Sequence, residues 1–265
     1  MNAIDAVFSR LRAEKRTALM PFVSAGDPDL GATAALVREL ARRGAHLVEI
    51  GFPYSDPIAD GPVIQASYTR ALKKGVRVED IFRTVRELAD VGVPLVGMVS
   101  YAVVHRRGPE AFLKQAQEAG FGGAIIPDLP IDEAAGIARL AAGRDFKLIQ
   151  LVTPTTPRER AAQIAKLSTG FLYVVSTTGI TGERDRLPAE LTATLAWLRE
   201  QTSLPLCVGF GISGPEQARP LRGVADGVIV GSAFVRRIEQ AATHPLPDVV
   251  AEVGSLAESL LAALR

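Results

Sequence analysis

The feature that most restricts how this chain can fold is a series of eight short apolar runs, each separated from the next by room for a helix. They cover residues 18–24, 46–51, 95–101, 123–127, 147–152, 171–176, 206–210 and 227–230. Most are apolar at both odd and even positions. A strand covered on both faces has that pattern, and such strands belong to parallel sheets. Between the runs, apolar residues recur at helical spacing. In 33–43, Leu36, Val37, Leu40 and Ala41 share one stripe, and in 79–90 Phe82, Val85 and Leu88 do. The same spacing predicts helices over 109–119, 132–142, 157–167, 191–201 and 215–221. Pro109, Pro157 and Pro215 fit first helical turns, where a missing N–H matters little. Gly44, Gly92, Gly120 and Gly143 fit helix C-terminal caps.

Eight strands alternating with helices, with no linker or break in composition, predict a single (β/α)8 TIM barrel spanning 1–265 as one domain, with an extra N-terminal helix and a C-terminal helix. The length of 265 residues suits this, since such barrels typically run to about 250. An open doubly wound sheet is the alternative. Its dinucleotide signature is absent, because Gly209-Phe210-Gly211 lacks the third glycine of G-x-G-x-x-G.

Thirty basic and 29 acidic residues leave a net charge of +1, which gives no reason to expect a nucleic-acid or acidic-membrane partner. The lone Cys207 excludes an intrachain disulfide and lies in an apolar run, as a buried core thiol would. The amphipathic N-terminus does not read as a secretory signal, so a cytoplasmic protein is expected. His46, His105 and His244 are scattered without metal-ligand spacing.

In barrels of this kind the active site lies at the C-terminal ends of the strands. Glu49 is near the end of the second run, in Leu47-Val48-Glu49-Ile50-Gly51. Alternation places it beside Leu47, facing the barrel interior. A carboxylate there is either one half of an interior ion pair or an acid–base group with a raised pKa. A long proline-rich loop follows and carries Asp56, Pro57 and Asp60. Loops of that length at strand ends tend to be functional, although aspartates also serve as local turn formers. The sixth run leads into the glycine-, threonine- and charge-rich stretch 177–188, which reads as a lid. The last two strands end in Gly209-Phe210-Gly211-Ile212-Ser213 and Gly231-Ser232-Ala233. Together with Gly182 these glycines form a candidate phosphate cradle built on backbone N–H groups.

Several segments are more specific than any of these patterns. Residues 21–28 read PFVSAGDP, 49–65 read EIGFPYSDPIADGPVIQ, 127–130 read PDLP, 178–182 read TGITG and 209–213 read GFGIS. On these segments the chain resembles the tryptophan synthase alpha subunit family along essentially its whole length. The resemblance implies a lyase of tryptophan biosynthesis that performs retro-aldol cleavage of indole-3-glycerol phosphate to indole and glyceraldehyde 3-phosphate. It implies Glu49 as the general acid–base, Asp60 as the partner of the indole N–H, and Tyr173 as a catalytic-site tyrosine. Phe22 and Tyr101 would wall the indole pocket. Gly182, Gly211, Gly231 and Ser232 would hold the phosphate, and Thr181 would close as the lid threonine. The expected partner is a beta subunit in an alpha2beta2 heterotetramer, with Asp56 and Pro57 at the interface. Pyridoxal phosphate would belong to that partner, and this chain would carry no cofactor. The chain departs from its relatives at Val103, where they commonly have asparagine, and at Thr177-Thr178, where some have arginine and serine. Competing readings are another phosphate-binding barrel, a stand-alone indole-releasing lyase, and a non-catalytic barrel that activates a beta-type partner.

Overall fold

The computed structural model describes residues 1–57, 60–176, 187, 189–209 and 211–265. Among them, nine parallel strands form one sheet: β1 (Ala18–Ser24), β2 (Val48–Gly51), β3 (Leu95–Met98), β4 (Phe121–Ile125), β5 (Lys147–Ile149), β6 (Leu151–Val152), β7 (Leu172–Val175), β8 (Leu206–Gly209) and β9 (Gly227–Val230). Their spatial order is β5-β4-β3-β2-β1-β9-β8-β7-β6. The two ends of that order, β5 and β6, are consecutive in the chain and separated only by Gln150. The sheet is therefore a nearly closed barrel whose fifth strand is interrupted. Lys147 to Ile149 pair with β4, whereas Leu151 and Val152 pair with β7. The strand changes neighbours at Gln150, whose carbonyl accepts the Tyr173 N–H at 3.1 Å.

Alternation along the strands builds two cores. Ala18, Met20 and Phe22 of β1 join Leu47, Val96, Ile125, Ile149, Tyr173, Cys207 and Ile229 inside the barrel. The intervening residues, such as Leu19, Val23, Val48 and Ile50, pack outward against the helices. Leu47 is thus an inward residue, as the period of two requires of the neighbour of Glu49.

The helix Ala3–Ala13 plugs the end where the strands begin. Ile4, Phe8 and Leu11 enter the inner core, and Phe8 meets Phe171 with ring centroids 5.6 Å apart. The Asn2 amide donates to the carbonyls of Gly122 and Asp145 at 3.0 and 2.6 Å, and Lys147 reaches Asp5 at 2.7 Å. With that end filled by the helix, the described residues leave the barrel open at its C-terminal mouth. The helix Leu246–Leu264 lies in the outer layer through Val253, Leu256, Leu260 and Leu261. No helix of the described residues is long and apolar enough to cross a membrane.

The structure differs from the sequence expectations where polar capping overrides an apolar run. The third strand stops at Met98 rather than continuing to residue 101. Ser100 instead caps the helix Tyr101–Arg107, its hydroxyl accepting the Ala102 N–H. The helix Pro62–Lys73 is an addition to the predicted set, whereas the helix Ser232–Ile238 follows the last glycine turn as expected. Gly143 closes the helix Ile131–Ala142 in a right-handed conformation, and Asp145 takes the left-handed turn with φ of 50°.

Candidate active site

The open mouth of the barrel holds a cavity of about 490 Å³, a size typical of small-molecule sites. Phe22, Glu49, Asp60, Tyr173, Gly211, Gly231 and Ser232 all line it. Residues from β1, β2, β7, β9 and the loops after β2 and β8 thus converge on one space.

Glu49 is paired in register with Phe22 of β1 and Val96 of β3, so its side chain stands in the inner layer between two apolar neighbours. It is 1% exposed, and its Oε2 makes no hydrogen bond among the described residues. It is not half of an ion pair with a described residue. Burial, and secondarily the negative charge of Asp60, push its pKa up to about 8. Glu49 is therefore predominantly protonated at neutral pH.

Asp60 is held by two side chains. The Tyr54 hydroxyl donates to its carboxylate at 3.2 Å. The Gln65 amide donates to the carbonyls of Asp60 and Pro57 at 2.7 and 3.1 Å, tying the loop to the first turn of the helix Pro62–Lys73. That helix is anchored in turn to the loop after β1, because Ser67 and Arg70 both donate to the buried Asp27 carboxylate. Burial raises the Asp60 pKa to about 6. The Tyr54 hydrogen bond opposes that rise and the charge of Asp128 adds to it. Asp60 is mostly ionised at neutral pH and Glu49 is not, so the cavity holds one acid and one base.

Packing fixes the remaining walls. A side chain on Gly51 would collide with the Phe22 ring and the Tyr68 hydroxyl, and one on Gly209 would collide with the Tyr173 ring. At both positions the absence of a side chain leaves room for the ends of aromatic side chains to approach the backbone. Burial holds the Tyr68 and Tyr173 hydroxyls protonated, well above their ordinary range. Gly211 has φ of 76°, a conformation that favours glycine. Gly231 does not need to be glycine on either ground. Its φ is −109°, and a Cβ there would make only ordinary contacts, the nearest at 3.8 Å. The room kept at Gly231 opens onto the cavity.

Asp56 is exposed at the rim, bonded to Ser55 at 2.7 Å, and Pro57 is half-buried beside it. Tyr101 does not line the cavity, contrary to expectation. Ser100 ends the extended segment, so Tyr101 opens a helix. Its N–H goes to Asp128 at 2.6 Å, and its ring meets His105 edge-on at 5.6 Å. Met98 lines the cavity on that side instead. Thr181, Gly182 and the rest of the expected lid 177–188 apart from Leu187 lie outside the described residues, as does Phe210. Val103 is half-buried against the outer core. His46 is structural: its Nδ1 accepts the Leu19 N–H at 3.0 Å, and burial lowers its pKa to about 4. Cys207 is buried in the inner core. No metal-binding cluster occurs among the described residues.

Sequence reasoning passed over Tyr54, Gln65, Ile64, Gln217 and Arg236. Tyr54 and Gln65 stood inside the segments already singled out. Arg236 lies one helical turn beyond Ser232 and so on the same face, a spacing that could have revealed it.

The chain matches a family model described as tryptophan synthase alpha chain over residues 8–263. It is 47% identical to the tryptophan synthase alpha chain of Rhodopirellula baltica, covering all of this chain and 99% of that protein. It is 48% identical to that of Synechocystis sp., covering 91% of this chain and 92% of that protein. The crystal structure of tryptophan synthase subunit alpha from Legionella pneumophila superposes with a TM-score of 0.91 at 36% identity, over 100% of this chain and 98% of that one. With the barrel, its open mouth and the matched segments in agreement, the chain belongs to the tryptophan synthase alpha chain family.

Proposed function

We propose that Glu49, Asp60 and Tyr173 are the residues with which this lyase cleaves indole-3-glycerol phosphate to indole and glyceraldehyde 3-phosphate, inside the 490 Å³ cavity. The observation that carries the assignment is the pairing of a buried, protonated Glu49 with a largely ionised Asp60 in one space.

The reaction needs a proton delivered to indole C3, a base for the glycerol hydroxyl next to that carbon, and a counter-charge for the indole nitrogen. Protonated Glu49 supplies the first. The Glu49 carboxylate left behind accepts the hydroxyl proton as the carbon–carbon bond breaks, which regenerates the acid with no net proton consumed. Asp60 accepts the indole N–H and stabilises the positive charge that C3 protonation places on the ring. A pKa near 8 for Glu49 suits a group that must both give and take a proton near neutrality. Phe22 and Tyr173 form apolar walls for the indole, and Met98 does so in the place expected of Tyr101.

The phosphate fits the part of the cavity lined by Gly211, Gly231 and Ser232. The room left at Gly231, which neither packing nor backbone conformation explains, supports this placement. Gly182 and Thr181 extend the cradle and lid by family resemblance. As a family member the chain partners with a tryptophan synthase beta chain. Asp56 and Pro57 at the rim face it in an alpha2beta2 assembly, and the pyridoxal phosphate belongs to the beta chain. The chain, 1–265, works as one domain in the cytoplasm without a cofactor of its own.

The test is release of indole from indole-3-glycerol phosphate by the full chain, alone and with a beta subunit. Release that rises on adding the beta subunit is expected. A chain that binds the beta subunit but releases no indole under either condition refutes the lyase assignment.

A further inference from the structure

We propose that Arg236 supplies a positive charge to the substrate's phosphate and so helps the cavity distinguish phosphorylated from unphosphorylated ligands. The inference rests on placing the phosphate at Gly211, Gly231 and Ser232. Backbone N–H groups alone suffice to cradle an anion there, and the sequence offers no lysine or arginine cluster for the purpose. The structure nonetheless places an arginine among the residues that line the cavity. Arg236 lines the cavity together with Gly231, Ser232, Ser213 and Gln217. It stands four residues after Ser232 in the helix Ser232–Ile238, so the two share a face.

The contrast with its neighbour is informative. Arg237 is half-buried and turns back onto its own helix, donating to the Ala233 carbonyl at 2.9 Å. Several other arginines around the barrel are matched to carboxylates, among them Arg70 to Asp27 and Arg199 to Asp226. Arg236 is exposed and makes no ion pair or hydrogen bond with any described residue. Unpaired among the described residues, it is the cation among those that line the cavity. An arginine suits a phosphate because its planar fork can offer two N–H groups to two oxygens.

The experiment uses the full chain and two probes: glycerol 3-phosphate, which carries the phosphate without the ring, and indole, which carries the ring without the phosphate. Arg236→Met is expected to weaken inhibition by glycerol 3-phosphate about fivefold, the upper range for an exposed ion pair, while leaving indole binding unchanged. Arg236→Lys should recover most of the loss, and Arg237→Met should lose none. Molar salt should shrink the difference between the wild type and Arg236→Met, because exposed charges are screened. Unaltered glycerol 3-phosphate inhibition in Arg236→Met overturns the proposal, as does an equal loss of indole binding or an equal effect from Arg237→Met. A wild-type chain that binds indole but not glycerol 3-phosphate overturns the placement of the phosphate itself, and the role of Arg236 with it.

Discussion

Replacing Glu49 by glutamine should stabilise the folded chain, and by an amount that grows with pH. The carboxyl is 1% exposed and has an oxygen with no hydrogen-bond partner among the described residues, so ionising it in place is costly. Its pKa rises from 4.5 to about 8 on folding. A group with a raised folded pKa contributes stability that is present below the unfolded value and is lost as pH climbs through the folded one. Each pH unit in that window is about 1.4 kcal/mol, so the full loss is about 5 kcal/mol. At about pH 5 less than about 1 kcal/mol has been lost, and at about pH 9 nearly all of it has. Glutamine has almost the same shape and never ionises. The stability advantage of Glu49→Gln over the wild type should therefore grow by about 4 kcal/mol between about pH 5 and about pH 9. Urea denaturation of both proteins at the two pH values measures this difference, and groups common to both cancel. A difference that does not change with pH refutes the claim that Glu49 is buried and protonated.

Three further outcomes follow from the same geometry. The pH dependence of kcat/KM should be bell-shaped, falling below about 6 as Asp60 takes up a proton and above about 8 as Glu49 loses one; a rate flat between about pH 5 and about pH 9 contradicts it. Gly231→Ala should raise the KM for the phosphorylated substrate while changing stability by less than about 0.5 kcal/mol, since the added Cβ meets only ordinary contacts in the folded chain; steady-state kinetics and thermal melting check the two halves. Phe8→Ala should cost about 3–5 kcal/mol by opening a hole in the N-terminal plug, with kcat unchanged, because the plug closes the barrel end opposite the cavity.

Much of the barrel was legible because a strand covered on both faces must be apolar at both parities. β1 and β9 fall at the limits the apolar runs predict, residues 18–24 and 227–230. The misreadings have local causes. The run 147–152 looks continuous, yet the strand changes neighbours at Gln150, a pairing event that apolarity does not record. The run 95–101 looks like one strand, but Ser100 offers a helix cap that outweighs the apolar residues around it. The helix Pro62–Lys73 was hidden behind a loop rich in proline, although Pro62 after Gly61 is an ordinary helix start.

At the site, Glu49 was legible because a charge inside an apolar strand needs a reason. Its inward direction followed from the period of two. Asp60 was legible only as one of two carboxylates in a stiff loop. What sets it apart from Asp56 is the grip of Tyr54 and Gln65 and its burial in the cavity, while Asp56 stays in solvent. Tyr101 shows the converse limit. Its place beside the third strand was foreseen, but its direction depended on where that strand ended. A raised pKa was one of two readings for Glu49, but its extent and the ionised state of Asp60 depend chiefly on burial, which only the folded cavity sets.

The central claim is that Glu49 carries the proton of the lyase reaction. The most direct test is the single-turnover rate of indole formation from indole-3-glycerol phosphate by Glu49→Gln, in a chain whose cooperative unfolding shows it to be folded. The account predicts a rate lower than wild type by a factor of about 1,000 or more, within the range ascribed to a positioned acid–base group. A folded Glu49→Gln chain that forms indole within about tenfold of the wild-type rate contradicts it.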